Sequence, residues 1–360
     1  MNSAAAAAAS IHSWARENKL TKWVAVVAVG MATSLSSAAP AAAGCQLLQL
    51  AELDVTIQNN TPLVPVIIDG ESVQMIVDTS YTRSQIRRSA AKELHLKLRP
   101  SIVAFYGPNG LDQADMTSVP DFTFAGIKTH QATFYVTAQR VTTENVVGIL
   151  GEDILSHFDI EFDLASKKIR LFEPKGCKGD QVAYWTPEYF VADLTHGEVV
   201  IPLIDVSLNG QKMLAALSSG SPQSTVTVQA MHQSGIKPDT APQVAGTLQG
   251  GATKPSYSFV ASPSLTIGQE TVHNVQLGIA GPYNRDDLGR FESQLEHHAF
   301  IAPDLEIGGD FFLAHRIYLA HSEKKVYFTH NAGPISQTSA PQPSPSPLDS
   351  SSGDADSSNP

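Results

Sequence analysis

Two short polar segments of this sequence contain the residue types needed for general acid–base chemistry. Each follows an apolar run that itself follows a turn dipeptide, Asp69-Gly70 in one place and Asn209-Gly210 in the other. Counterparts lie 140 positions apart (69 to 209, 78 to 218), which indicates two copies of one unit. The segments are Asp78-Thr79-Ser80 and Ser218-Ser219-Gly220, so a carboxylate in the first copy corresponds to a hydroxyl in the second.

That difference decides which chemistry two facing copies could perform. Two carboxylates held close together cannot both ionise, so one acts as a base while the other acts as an acid. Asp78 fits the base. Ser218 does not fit the acid, because a serine hydroxyl does not titrate near working pH.

The elements that must position these segments are mostly strands. β-Branched runs at residues 64–68 and 73–77 flank Asp69-Gly70, a pattern typical of a β-hairpin. Residues 84–96 predict a short helix, because apolar residues recur there at helical spacing. Further short strands are predicted within residues 122–136 and 146–172, so the predicted fold class is mainly β with short helices.

The order of these features resembles the retropepsin-like aspartic proteases. A hairpin, an apolar run, Asp-Thr-Ser and a short helix ending A-x-x-L-x-L come first, and Gly148-Ile149-Leu150-Gly151 matches the second signature of that family. The resemblance covers roughly residues 54 to 330 and implies a bilobal pair of retropepsin-like β-barrel repeats. It also implies that Asp78, Thr79 and Ser80 form the catalytic loop, with Gly151 packed beside it.

The second copy follows the same plan with losses. Its degenerate partner site is Ser218, Ser219 and Gly220. Its second signature, Leu305-Glu306-Ile307-Gly308, lies 157 positions after the first (151 to 308), and Glu306 replaces Ile149.

The first copy departs from the family pattern as well. Ser80 stands where the family usually has a glycine, and Tyr81 follows where a small residue is usual. Neither copy therefore keeps the complete pattern.

The resemblance implies a glycine-bearing flap over the cleft in each copy. The residues assigned to the flaps and to substrate binding are Phe105, Tyr106, Gly107 and Gly110 in the first copy and Gly250 and Gly251 in the second.

Other polar residues have less specific patterns. Asp153 and Asp310 could form a pair, but the favoured interpretation is that each starts or caps the short helix after its signature glycine. His297-His298, His157 and His315 match no metal-ligand spacing, so we expect no metal and no cofactor. Ser219-Gly220-Ser221 lacks the nucleophile elbow of serine hydrolases.

Composition excludes several classes of partner. A chain of 360 residues with 42% hydrophobic content can form two domains with a sizeable core. With a net charge of −11 and no basic stripe, nucleic acid and anionic membrane surfaces are not expected partners. The resemblance implies a peptide or unfolded protein segment as partner and leaves a homodimer open.

Both ends of the chain are predicted to lie outside the folded repeats. Residues 1–43 combine basic residues, an apolar stretch and a small-residue ending, the pattern of a secretory signal peptide. Residues 332–360 are Ser/Pro-rich and then acidic, which is typical of a disordered tail. Between them we expect a first repeat at 44–178, a linker at 179–193 and a second repeat at 194–331, in an exported protein of the periplasm or extracellular space.

The two cysteines of the chain, Cys45 and Cys177, agree with export. An even count in an oxidising compartment favours a disulfide between them. The alternative is a lipid-modified Cys45, because the preceding residues loosely resemble a lipoprotein cleavage site. Only in that case would a membrane be a partner.

Three functional hypotheses follow. The favoured one is a pseudoprotease that binds an extended peptide, with proteolysis weak or lost because the general acid, which contributes about 10²–10⁴-fold in rate, is missing. The second is an active aspartic endopeptidase in which another chain supplies a second Asp78. The third is a structural module of the cell envelope in which the cleft has no role.

Overall fold

A computed structural model describes residues 45–107, 110–137, 146–177, 182–195, 201–237, 259–279 and 303–331. The first copy contains β1 (Gln46–Asp54), β2 (Thr56–Gln58), β3 (Thr61–Ile68), β4 (Glu71–Val77), β5 (Gln85–Arg87), α1 (Arg88–Glu93), β6 (Leu98–Gly107), β7 (Gly110–Phe124), β8 (Ile127–Thr137), β9 (Val146–Leu150), α2 (Glu152–Leu155), β10 (Asp159–Asp163) and β11 (Lys168–Lys175). The second contains β12 (Phe190–Asp193), β13 (Leu203–Leu208), β14 (Gln211–Leu217), β15 (Thr225–Val226), α3 (Val228–Gln233), β16 (Phe259–Ile267), β17 (Glu270–Ile279), β18 (Leu305–Ile307), α4 (Gly309–Ala314), β19 (His315–Ala320) and β20 (Lys325–His330).

The hairpins before the two polar loops form as predicted. Asp69 and Gly70 have φ of 48° and 90°, and Asn209 and Gly210 have φ of 48° and 83°. A two-residue turn with positive φ at both positions is the type whose twist matches the flanking strands, and Asp-Gly and Asn-Gly favour it. These turns fix the register of β3 against β4 and of β13 against β14.

The helix predicted for residues 84–96 is shorter than expected. Residues 85–87 form β5, and α1 covers only Arg88–Glu93. Ile86 pairs with Val136 on one side and with Gly148 on the other, so sheet pairing overrides the helical spacing. The helix ends where His95 adopts a positive φ of 54°.

Each copy has its own sheet around an apolar core. The sheet of the first copy has the order β2-β3-β4-β9-β5-β8-β7-β6, with β3 also paired to β7. The second copy forms a closed barrel, β13-β14-β18-β15-β17-β16. The fold class is therefore mainly β, with two barrel-like repeats and short helices, as predicted.

A third, six-stranded sheet joins the copies. Its order is β1-β11-β10-β19-β20-β12, with the antiparallel β10–β19 pair at its centre. Across this pair the buried carboxylate of Glu161 accepts hydrogen bonds from Arg316 at 2.8 and 3.1 Å and from the hydroxyl of Tyr184 at 2.6 Å. The copies therefore share backbone pairing and a buried polar contact.

The segment between the copies packs on this sheet. Val182 and Ala183 are buried with Phe172, Tyr318 and Tyr327, while Trp185 and Tyr189 lie partly buried against them. Residues 190–193 of the predicted linker form β12 and pair with β20. The boundaries of the predicted repeats otherwise stay predictions.

The predicted disulfide is present. Cys45 and Cys177 are bonded and join the ends of β1 and β11, which pair in an antiparallel register. The sulfur that lipidation would require is therefore used in this bond. The predicted signal peptide and tail lie outside the described residues. No helix in the described ranges is long and apolar enough to span a membrane.

Candidate active site

The two polar loops occupy equivalent places at the ends of β4 and β14. The backbone N–H of Asp78 donates to Leu150 of the parallel strand β9 at 3.0 Å. The backbone N–H of Ser218 donates to Ile307 of the parallel strand β18 at 2.9 Å. The second signature of each copy therefore anchors the first residue of its loop.

Four reciprocal hydrogen bonds join the two loops, and we call this set the loop–loop contact. The hydroxyl of Thr79 donates to the carbonyl of Leu217 at 2.6 Å and accepts from the N–H of Ser219 at 3.2 Å. The hydroxyl of Ser219 donates to the carbonyl of Val77 at 2.8 Å and accepts from the N–H of Thr79 at 3.2 Å. Ser218 therefore lies in the same site as Asp78, where a second aspartate would lie.

Asp78 is buried at this junction. Its Oδ1 accepts hydrogen bonds from the N–H and hydroxyl of Ser80, at 2.9 and 2.8 Å, and from the hydroxyl of Ser218 at 3.3 Å. Burial raises the pKa of Asp78, and the hydrogen bonds from Ser80, Gly220 and Ser218 offset part of that rise. The carboxyl group therefore holds a proton to a higher pH than an exposed aspartate does.

The third residue of each loop faces the first residue of the other. A Cβ on Gly220 would lie 2.5 Å from Oδ2 of Asp78, so no side chain fits opposite the carboxylate. In the other direction, the hydroxyl of Ser80 contacts that of Ser218 at 2.9 Å. The loss of the second aspartate and the replacement of the first glycine are therefore complementary: each leaves room for the other.

Asp153 and Asp310 lie in the first turns of α2 and α4, as predicted for residues that start these helices, and they bond to different serines rather than to each other. Gly151 and Gly308 are the N-caps of α2 and α4, and neither helix has a side-chain cap. Asp153 instead accepts from the N–H and hydroxyl of Ser84, at 2.8 and 2.6 Å.

The second copy repeats this arrangement. Asp310 accepts from the N–H and hydroxyl of Ser224, both at 2.8 Å, and also from the N–H of Phe311 within its own helix. The hydroxyls of Ser84 and Ser224 in turn accept from Gly151 and Gly308, both at 3.0 Å. These contacts tie the chain after each loop to the signature glycine.

The signature glycines lie directly against the chain that follows the loops. A Cβ on Gly151 would lie 2.6 Å from the carbonyl oxygen of Tyr81, and one on Gly308 would lie 2.3 Å from the carbonyl carbon of Gln223. Backbone contact this close excludes any side chain at the two positions.

The sequence pattern gave Glu306 no predicted role beyond its replacement of Ile149. It lies on β18, pairs with Ala216 of β14 and Thr225 of β15, and is hydrogen-bonded to Ser221. Burial and the nearby charge of Asp78 raise the pKa of Glu306 to about 7. The sequence feature that could have indicated a role is its alignment with Ile149, directly before Ile307, whose carbonyl accepts from Ser218.

Only one of the predicted flaps lies within the described residues. Phe105, Tyr106 and Gly107 end β6, Gly110 begins β7, and Gly107 pairs with Gly110 to form a hairpin. Gly250 and Gly251 lie outside the described residues.

One histidine considered as a metal ligand has partners that spacing did not reveal. The Nε2 of buried His315 lies 2.9 Å from Glu270, and its Nδ1 lies 2.9 Å from the carbonyl of Phe311. Ligand atoms of Glu270, His315 and His330 lie within 4.8 Å of one another, so these three residues have the geometry to hold a metal ion. An ion pair between His315 and Glu270 accounts for the same contacts without a metal.

Comparisons with solved structures give similarity at low sequence identity. A retropepsin-like aspartic protease from Rickettsia conorii is 13% identical over 36% of this chain and 95% of its own, with a TM-score of 0.28. The aspartic proteinase from Irpex lacteus is 12% identical over 78% of this chain and 97% of its own, with a TM-score of 0.48. A search of curated proteins gave no significant match.

The family comparison matches both copies. The aspartyl protease model matches residues 64–154, around Asp78, and again residues 204–290, around Ser218. The two matches contain both hairpins and both loops, which occupy equivalent places in the fold. Both copies of the repeat unit are therefore similar to the aspartyl protease family.

Proposed function

We propose that this protein binds extended peptide segments in the cleft around Asp78, and that the Asp78–Ser218 pair by itself supports at most slow hydrolysis. The observation that carries the proposal is the loop–loop contact, which brings the hydroxyl of Ser218 within 3.3 Å of the carboxylate of Asp78. The β6–β7 hairpin is the expected flap over an extended ligand, and its backbone groups can pair with such a ligand as a strand would.

The slow rate follows from the chemistry of the pair. Asp78 can take a proton from a water molecule when it is ionised. Ser218 can orient that water or hydrogen-bond to Asp78, but its hydroxyl has no acidic proton to give to a carbonyl oxygen. Loss of one general acid or base typically costs about 10²–10⁴-fold in rate.

Two alternatives have less support. In one alternative, two chains exchange repeats so that two Asp78 residues meet. Such a dimer must first break the four hydrogen bonds that join the Thr79 loop to the Ser219 loop within each chain. A purely structural role gives no reason for an aspartate, rather than a serine as in the second copy, to be buried between the loops.

We also propose that the protein is exported, as the signal-like N-terminus and the Cys45–Cys177 disulfide suggest, because disulfides persist in oxidising compartments. A peptide or an unfolded protein segment is the proposed partner.

The proposal is tested by incubating the protein with a broad peptide mixture between pH 3 and pH 7, beside the variant Asp78→Asn. We expect slow cleavage that is lost in Asp78→Asn, and protection of β6 and β7 amides from hydrogen exchange in both proteins when peptide is bound. The variant Glu71→Gln, at the exposed start of β4, serves as the control for general effects of substitution. Absence of protection by every peptide fraction would leave the structural role.

A further inference from the structure

A group of three residues beside the second loop has changed its chemical character between the copies. In the first copy Ile149 pairs with Ile76, and Tyr81 packs against the same buried apolar cluster. In the second copy the corresponding residues are Glu306, Ala216 and Ser221. An apolar cluster is therefore replaced by a carboxyl group, a small residue and a hydroxyl.

These replacements place the carboxyl group of Glu306 beside the loop that contacts Asp78. Ser221 is hydrogen-bonded to Glu306. Ser221 directly follows Gly220, whose Cβ position lies 2.5 Å from Oδ2 of Asp78. Glu306 is thus separated from Asp78 by one short stretch of the second loop. The Glu306 side chain is partly exposed, whereas Ile149 is buried.

The electrostatic surroundings couple the two carboxyl groups. The charge of Asp78 contributes to raising the pKa of Glu306 to about 7, after burial, which is the larger cause. The strands on either side place the uncharged Ala216 and Thr225 opposite Glu306. The charge of Asp78 also contributes to raising the pKa of Glu152, which is paired with His321 at 3.0 Å.

A structural role explains Glu306 poorly. Among the residues that the structure describes, no lysine or arginine forms an ion pair with it. A carboxylate shielded from most of the solvent and without a cationic partner costs free energy, so it lowers stability. Such groups are concentrated at functional sites.

We propose that Glu306 supplies the second carboxyl group of this site and acts as the proton donor opposite Asp78, in place of the aspartate that Ser218 replaces. This inference rests on the proposed function, because it requires a peptide bound in the same cleft. It makes the hydrolysis expected of this cleft depend on Asp78 and Glu306 together.

The proton transfers balance. Ionised Asp78 takes a proton from water as the water oxygen bonds to the peptide carbonyl carbon, and protonated Glu306 gives its proton to the carbonyl oxygen. When the C–N bond breaks, the amine nitrogen takes the proton from Asp78. The carbonyl then reforms and returns a proton to Glu306, so both groups end as they began.

The experiment compares peptide hydrolysis by the full chain and by the variant Glu306→Gln across pH 3 to 8, with Glu71→Gln as a carboxyl-to-amide control outside the cleft. We expect Glu306→Gln to lose about 10²–10⁴-fold in kcat while peptide still protects β6 and β7 from hydrogen exchange. Hydrolysis by Glu306→Gln at the rate of the unaltered protein would overturn the inference. So would the absence of any turnover in protein that binds peptide.

A rescue variant separates lost chemistry from lost structure. Adding Ser80→Gly and Ser218→Asp to Glu306→Gln rebuilds an aspartate pair and removes the side chain that faces it, and we expect activity to return. Failure of this folded triple variant to regain activity would contradict the assignment of a missing acid.

A titration tests the coupling without any turnover. The carboxyl carbon of Glu306, followed by NMR, should titrate at a lower pH in Asp78→Asn, since the neighbouring charge is gone. An unchanged midpoint would overturn the inference. Loss of peptide protection in every variant and in the unaltered protein would instead refute the proposed function.

Discussion

The two copies hold their polar loops in the same way, but different groups stand around them. In each copy a serine bonded to an aspartate ties the loop to the signature glycine, through Ser84 and Asp153 in the first and Ser224 and Asp310 in the second. Around the junction of the loops, by contrast, the first copy has its carboxylate on the loop and the second has one on the adjacent strand, at Glu306. The supporting contacts are symmetric and the ionisable groups are not.

The comparison shows that the contacts supporting the loops are the same in the two copies, while the ionisable groups near the loops differ. The supporting serines and glycines are buried, and backbone atoms lie too close to the glycines for any side chain to fit there. At the junction of the loops, the two positions that depart from the family pattern, Ser80 and Ser218, contact each other.

The largest stability difference between the copies should come from the disulfide, which has no counterpart in the second copy. Because the bond closes a long loop, replacing Cys45 and Cys177 by serine should lower the free energy of unfolding by about 2–5 kcal/mol. Denaturant unfolding measures the loss, and hydrogen exchange should locate it in β1 and β11. Equal loss of protection in β16 and β17 would contradict this asymmetry.

The second prediction concerns Glu306 and its counterpart Ile149. The folded-state pKa of Glu306 is raised from 4.5 to about 7, so the folded protein binds the proton more tightly than the unfolded chain. Stability should therefore fall as pH rises from about 4.5 to about 7, by about 3 kcal/mol for this group.

Glu306→Ile, which copies the first repeat, should remove this part of the pH dependence. Unfolding in urea at pH 4.5 and pH 8 measures the difference between the two proteins. The other buried carboxyl groups are common to both and cancel, so parallel pH profiles would refute the prediction.

The third prediction tests the symmetry of the supporting contacts. Asp153→Ala and Asp310→Ala each leave a buried serine without its charged acceptor, which should cost about 1.5–3 kcal/mol in each copy. Urea unfolding of the two variants should give similar losses. A loss confined to one copy would show that the two supports are not equivalent.

The smallest effect on the free energy of unfolding is expected at the loop–loop contact itself. Thr79→Val and Ser219→Ala should each cost about 1 kcal/mol, because each removes one hydroxyl from the reciprocal set. Since the hydroxyls contact each other's backbone, the double variant should cost less than the sum of the two. Strict additivity in a double-mutant cycle would indicate that the two hydroxyls of the loop–loop contact act independently.

Much of the fold could be predicted because local chemistry controls it. The Asp69-Gly70 and Asn209-Gly210 turns adopt the conformation that those dipeptides favour, and the repeat spacing revealed the two copies. The even cysteine count led to the observed disulfide. Prediction was wrong at β5, where Ile86 is paired on both sides and sheet formation overrides helical spacing.

The candidate site was only partly predictable. Asp78, Ser218 and the signature glycines were located from their patterns, and the structure brings them together. The bonds of Asp153 to Ser84 and the closeness of Glu306 to Asp78 join residues far apart in the chain. No local pattern records such contacts.

By itself the sequence determined that the chain repeats one unit and that the second unit lacks the aspartate, because residue types and spacing are properties of the chain. Only the tertiary structure decided what surrounds Asp78. The hydrogen bonds between the loops bring Ser218 and Gly220 against the carboxyl group of Asp78, and the pairing of β14 with β18 places Glu306 on the strand beside them. Burial and neighbouring charge, which depend on that packing, then decide how each group holds its proton.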